Sequence, residues 1–262
     1  MNINPNFVDV DFTKQPQYTR GDNATRPFRS SRPIYEAGEP QTPEAKWPEE
    51  AEKLEAEDAG LDFLVTRILD QKSEGSCVGN AATQQHQVLQ AKQFGIDNVV
   101  QLSAISMYQL IGSSANSGAS IDDALDEGTG TGFIPLDTPE NRAKFGSVVM
   151  PPTGWRSPRP SGWEATAQRF RFDESLVVQS VGGMMSALFN GHPIVVGRSG
   201  HSICYLRPVY SGGKLYVLYA NSWSMDWGQA AGKLSGGFGL DSLSYIRSSA
   251  NWCYAVRSII TP

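Results

Sequence analysis

Seven of the sixteen prolines in this 262-residue chain fall within its first 48 residues, at positions 5, 16, 27, 33, 40, 43 and 48. Each proline fixes φ and removes a backbone donor, so no long helix and no central strand can form across this stretch. Between the prolines lie polar residues and isolated aromatics: Phe7, Phe12, Tyr18, Phe28 and Tyr35. A segment of this kind cannot bury enough surface to make a core of its own. The expectation is an extended arm. Two forms of it stay open: a tail without structure, or an arm whose aromatics anchor it along its own globule or a partner. The acidic run Glu49 to Asp58 extends the arm to about residue 60 as a solvated linker or short exposed helix. The globule must then come from residues 61–262.

The composition of the whole chain is 40% hydrophobic and 10% aromatic, enough for a sizeable core. A net charge of −5 and a pI near 5.3, with no compact Lys/Arg cluster, argue against nucleic acid as a partner. No apolar stretch is long enough to span a membrane. Met1 to Phe12 lacks a basic region followed by an apolar run, so no secretory signal is visible in the chain. The three cysteines, Cys77, Cys204 and Cys253, are odd in number and widely spaced. They make no disulfide framework, and the expected setting is the cytoplasm or an assembly built there, such as a virion. Three histidines without CxxC or HxxxH spacing predict no zinc site and no other cofactor.

From Leu61 the pattern turns globular. Leu64 to Leu69 reads as a short strand or extended approach. A helix is predicted over Ala81 to Phe94, and a second over Ala104 to Ile111, capped by Ser103, with Ile105 and Tyr108 on one face. Ser113 to Ser120 is a polar loop, Ile121 to Glu127 a short helix, and Gly128 to Gly132 a flexible stretch lacking the ending of a phosphate loop. Met150 to Pro160 is a proline-rich connector between a helical half and a strand-rich half. In the second half, the later part of Glu174 to Phe189 is helical and ends at Asn190-Gly191. Pro193 to Gly197 is a buried strand. Ser202 to Tyr210 and Leu215 to Ala220 form a hairpin about Ser211-Gly212-Gly213-Lys214. That hairpin places His201 and Asn221 at adjacent strand ends, give or take a bulge. Cys204 and Cys253 are read as apolar-like buried residues, His86 and His192 as surface or turn residues, and Trp155, Trp163 and Trp252 as core or surface anchors.

The stretch with chemistry in it is Gln71 to Ala82. Gly75-Ser76 leads into Cys77, and a helix follows. A cysteine at a helix N-terminus feels the positive end of the backbone dipole, which favours the thiolate; a packed core thiol is the alternative. A nearby imidazole would complete activation. The Gln71 amide and the Cys77 N–H could donate to an oxyanion on an attacked carbonyl. His201 and Asn221 fit the other half, since a catalytic imidazole needs a partner that fixes its tautomer.

Taken together, Gln71, Gly75-Ser76-Cys77, Gly200-His201, Asn221-Ser222-Trp223 and Trp227-Gly228 resemble the papain-like cysteine peptidases. Val65-Thr66, Leu102-Ser103-Ala104, Ala187 to Pro193 and Gly236-Gly237-Phe238-Gly239 resemble lesser features of that family. The likeness spans about residues 62 to 262. It implies an α+β papain-like fold of two lobes, helical over about 61–150 and β-rich over about 151–262, with the active-site cleft between them. It also implies Cys77 as nucleophile, His201 as general base and acid, Asn221 as its orienting partner, Gln71 in the oxyanion hole, and Trp223 shielding the His–Asn bond. Three departures stand out: Val78 for an aromatic, Glu74 for a disulfide cysteine, and Ser224 for a glycine.

The function expected from this pattern is hydrolysis of amide bonds in a polypeptide or peptide through an acyl-enzyme. A peptide crosslink of a cell wall would yield to the same chemistry. The rival is a papain-fold structural component of a larger assembly, for example a viral particle, whose arm clasps neighbouring proteins.

Overall fold

The computed structural model describes residues 1–15, 32–198, 200–249 and 253–260. Trp252, read above as a core or surface anchor, and the arm aromatics Tyr18 and Phe28 lie outside the described residues. The described helices are α1 (Trp47–Ala56), α2 (Cys77–Phe94), α3 (Ala104–Ile111), α4 (Ile121–Gly130), α5 (Pro139–Phe145), α6 (Trp163–Ala167), α7 (Val181–Phe189) and α8 (Leu243–Ser248), with short 3-10 turns between some of them. The strands are β1 (Ser175–Val178), β2 (Ile194–Arg198), β3 (His201–Ser211), β4 (Lys214–Ala220), β5 (Gln229–Ala231), β6 (Leu234–Ser242) and β7 (Cys253–Val256). They form one antiparallel sheet in the order β1-β7-β2-β3-β4-β6-β5. The fold is therefore α+β.

Side-chain alternation sorts this sheet into two buried faces. Ile194, Val196, Ile203, Tyr205, Val217 and Tyr219 face one apolar cluster, together with Met184, Met185 and Leu188 of α7. Val195 joins the cluster built on α2, α3 and α4, while Cys204, Leu206, Leu218 and Ala220 meet Val88 of α2 and the Leu61–Ile68 segment. Because α2 lies between the helical elements and the sheet, every residue from Cys77 to Ala91 is buried. The arm supplies Val10, Phe12, Tyr35 and Trp47 to the outer sheet cluster. Phe12, Tyr35 and Trp47 thus anchor the described parts of the arm along its own globule. Val8 bridges Leu240, and Ile34 bridges Val177 near the opposite sheet edge.

Several local expectations change. α2 begins at Cys77, four residues before the predicted start. Ser103 precedes α3, but its hydroxyl donates to the Pro151 carbonyl at 2.5 Å and caps nothing. The Gly128 to Gly132 stretch is not a free loop: α4 runs on to Gly130, and a Cβ at Gly128 would lie 2.5 Å from the Phe172 ring. Here glycine serves close packing rather than flexibility. Ser175 to Val178, in which three apolar residues follow a serine, is a strand. His86 is not at the surface but fully buried, 5.0 Å from the Phe133 ring and 5.4 Å from the Phe172 ring. His192 does sit at a turn after α7, half-buried, with Nδ1 3.2 Å from the Tyr35 hydroxyl.

Candidate active site

Cys77 is the first residue of α2, so its backbone N–H belongs to the first turn, whose donors have no partner within the helix. The loop leading to it is pinned on several sides. The Gly75 N–H donates to the Ala115 carbonyl at 2.8 Å and lies 3.0 Å from Asn116 Oδ1. Asn80 Nδ2 reaches back to the Ser76 carbonyl at 2.9 Å and the Ser76 hydroxyl at 3.1 Å. Gly79, one turn into the helix, lets α3 approach: a Cβ there would sit 2.9 Å from the Ala104 carbonyl oxygen.

The segment before Cys77 is stitched to the one after β4. Asp70 bridges Trp223 antiparallel, the Gln71 N–H donates to the Ser222 carbonyl at 2.9 Å, and the Ser224 N–H donates to the Leu69 carbonyl at 3.3 Å. Gln71 and Asn221-Ser222-Trp223 are thereby brought to one place. The Gln71 amide is oriented at both ends: Oε1 accepts from the Ser222 hydroxyl at 2.6 Å, and Nε2 donates to the Glu74 carbonyl at 2.8 Å.

His201 opens β3 and Asn221 follows β4. The hairpin carries a bulge between Tyr205 and Arg207, and this sets the two strand ends in register. His201 Nε2 lies 2.7 Å from Asn221 Oδ1. The same Oδ1 accepts the Ser222 backbone N–H at 2.8 Å. A backbone N–H can only donate, so the amide atom at this point is oxygen. His201 Nε2 must therefore be the donor to it, and in the neutral ring Nδ1 carries no proton. Such a ring can take up and return a proton at Nδ1 while Asn221 holds its other side.

The indole of Trp223 lies 4.7 Å from the His201 ring, at an interplanar angle of 35°. Phe12 of the arm also lies 4.7 Å from that ring, and sequence reasoning gave it no part in the site. Ser222 was missed as the residue orienting Gln71; its place inside the Asn-Ser-Trp motif was the available signal. Cys77 and His201 are both fully buried.

The other cysteines and histidines are poorly suited to act as nucleophile or base. Cys204 is buried as expected, whereas Cys253 at the start of β7 is only half-buried; burial pushes the Cys204 thiol far above its ordinary range and the Cys253 thiol up to about 12. Burial lowers His86 to about 3 and His192 to about 4, so both are neutral near pH 7. Among the described residues, no group of three or more His, Cys, Asp or Glu side chains converges as a metal site requires. Nor is any helix among them long and apolar enough to cross a membrane.

No family profile matches the chain, and no curated protein matches it in sequence. Solved structures do resemble it. Xylellain, a cysteine protease from Xylella fastidiosa, superposes with a TM-score of 0.54 at 19% identity, over 73% of this chain and 82% of that one. Procathepsin B S9 from Trypanosoma congolense gives 0.58 at 13% identity, over 94% and 89%. The digestive procathepsin L 3 of Tenebrio molitor larval midgut gives 0.59 at 14% identity, over 95% and 78%. At such identities the likeness is one of fold.

Proposed function

We propose that this chain, whose fold is that of the papain-like cysteine proteases, is a cysteine-type peptidase acting through Cys77, His201, Asn221 and Gln71. In the proposed cycle His201 Nδ1 takes the Cys77 proton, and the thiolate attacks the carbonyl carbon of a peptide bond. The Gln71 amide and the Cys77 N–H stabilise the oxyanion. His201 then passes its proton to the leaving amine as the C–N bond breaks and an acyl-enzyme remains. Water attacks the thioester with His201 as base, releasing the acid and restoring the thiol. No metal or organic cofactor is required for these steps. Gly75 and Ser76 set the loop that presents Cys77, and Trp223 covers the imidazole.

The observation that carries this reading is the doubly engaged Asn221 oxygen, which fixes the imidazole with Nδ1 as its proton-transfer atom. The substrate class is polypeptide, and an amide crosslink in a cell-wall peptide would follow the same route. One observation favours a second reading. Cys77 and His201 are both shielded from solvent, which suits a structural part of an assembly built on this fold. The test is incubation of the purified chain with casein and with a mixed-sequence fluorogenic peptide library. Cleavage is expected, and Cys77→Ser should reduce it by at least about a thousandfold. Cleavage no greater than that of Cys77→Ser on both substrates would favour the assembly reading.

A further inference from the structure

We infer that Phe12, a residue of the N-terminal arm, is a positioning residue for the His201 imidazole, so that the arm completes the site it is remote from in sequence. The inference deepens the peptidase reading and rests on it for its functional meaning. Phe12 is fully buried. Its ring stands 4.7 Å from His201 at 64° and 5.2 Å from Trp223 at 83°, while His201 and Trp223 are themselves 4.7 Å apart. The three rings form a closed triangle, and the edge-to-face angles suit the quadrupoles of aromatic pairs. Trp223 therefore covers the imidazole together with a ring from outside residues 61–262.

The arm is held just ahead of Phe12. The Asp9 carboxylate accepts the Ser242 N–H at 2.6 Å and its hydroxyl at 2.7 Å, and the Asp9 N–H donates to the Leu240 carbonyl at 2.9 Å. Arg198, paired in the sheet with His201, donates to the Val10 carbonyl at 2.6 Å and lies 4.7 Å above the centre of the Phe12 ring. Its guanidinium is fixed in turn by a buried ion pair with Asp241, which also accepts the Tyr205 hydroxyl at 2.5 Å. A guanidinium so held makes a firm backing for the ring. Phe12 thus sits between a locked cation and the imidazole. Its expected work is to keep water from the His201–Asn221 bond and to narrow the imidazole's range of orientations. Both matter to a proton-transfer group whose misplacement by an ångström is costly.

The chain has three histidines, which makes ring-labelled 15N-histidine NMR of the full chain a clean readout. In the wild type, the His201 Nε2 proton is expected as a slowly exchanging signal. Phe12→Ala should speed its exchange with water by about tenfold or more, and slow iodoacetamide labelling of Cys77 by about tenfold. Phe12→Leu, which keeps an apolar cover, should lie between. Tyr35→Leu removes another buried arm aromatic and should lower stability without moving either readout. Wild-type exchange and labelling in Phe12→Ala would overturn the inference. If the alanine variant does not fold, the same result in Phe12→Leu overturns it. Should wild-type labelling of Cys77 prove indifferent to His201→Ala, the peptidase reading fails, and the NMR comparison still decides the place of Phe12.

Discussion

His86 shows at the scale of one residue what burial does to a titratable group. Its ring lies among Phe133, Phe170 and Phe172, with Nδ1 3.2 Å from Gln90 Nε2. Gln90 Nε2 is a donor, so Nδ1 accepts and the ring is neutral. Burial holds the pKa at about 3. In the unfolded chain the same ring takes a proton near pH 6.5. Its contribution to stability is therefore fully present above pH 6.5, and is lost as pH falls from there toward 3, at about 1.4 kcal/mol per unit. Half-buried His192, lowered first by burial and then by the charge of Lys92, acts in the same sense and more weakly. Urea unfolding at pH 7 and pH 5 should show His86→Leu losing about 2 kcal/mol less than the wild type across that interval; equal losses would contradict the account. Sequence reading misplaced His86 for a physical reason. α2 is buried all round from Cys77 to Ala91, so it has no polar stripe from which a residue's face could be read. Cys77, His201 and Asn221 could be singled out in the sequence because each sits beside a glycine or serine: Ser76-Cys77, Gly200-His201 and Asn221-Ser222.

At the scale of elements, Glu74 stands where the resembled family has a disulfide cysteine. Its half-buried carboxylate accepts the Trp155 N–H at 2.7 Å and the Gly154 N–H at 3.1 Å. Gln109 Nε2 donates to the carbonyls of Trp155 and Ser157, each at 2.9 Å. A charged hydrogen-bond clamp thus ties the Cys77 loop to the connector. Glu74→Ala should cost about 1–3 kcal/mol, and hydrogen exchange should rise at the Gly154 and Trp155 amides. A loss under about 0.5 kcal/mol with unchanged exchange would show that the clamp holds nothing. Ser224, the third departure, adopts a positive φ of 67°, a conformation that glycine takes up more readily than serine. The β3–β4 hairpin was legible because Gly212-Gly213 marks its turn. β1 was not, since three apolar residues shortly before a helix carry no period of their own.

At the scale of the molecule, one antiparallel sheet is covered by helices on one side and by α7 and the arm on the other. The stitching of Leu69–Gln71 to Ser222–Ser224 brings the segment that leads into α2 beside the segment that follows β4. The arm's place was out of reach of sequence reasoning: Phe12 meets His201 and Trp223 across nearly two hundred residues, and no local pattern encodes such a contact. The central claim is that Cys77 and His201 work as a pair. Its most direct test is intact-mass analysis with peptide mapping after brief substoichiometric iodoacetamide treatment at neutral pH, comparing the wild type with His201→Ala. Labelling is expected at Cys77 ahead of Cys204 and Cys253, with a fall of about a hundredfold in the variant. Labelling of Cys77 no faster than an ordinary thiol, or at the same rate in both proteins, would contradict it.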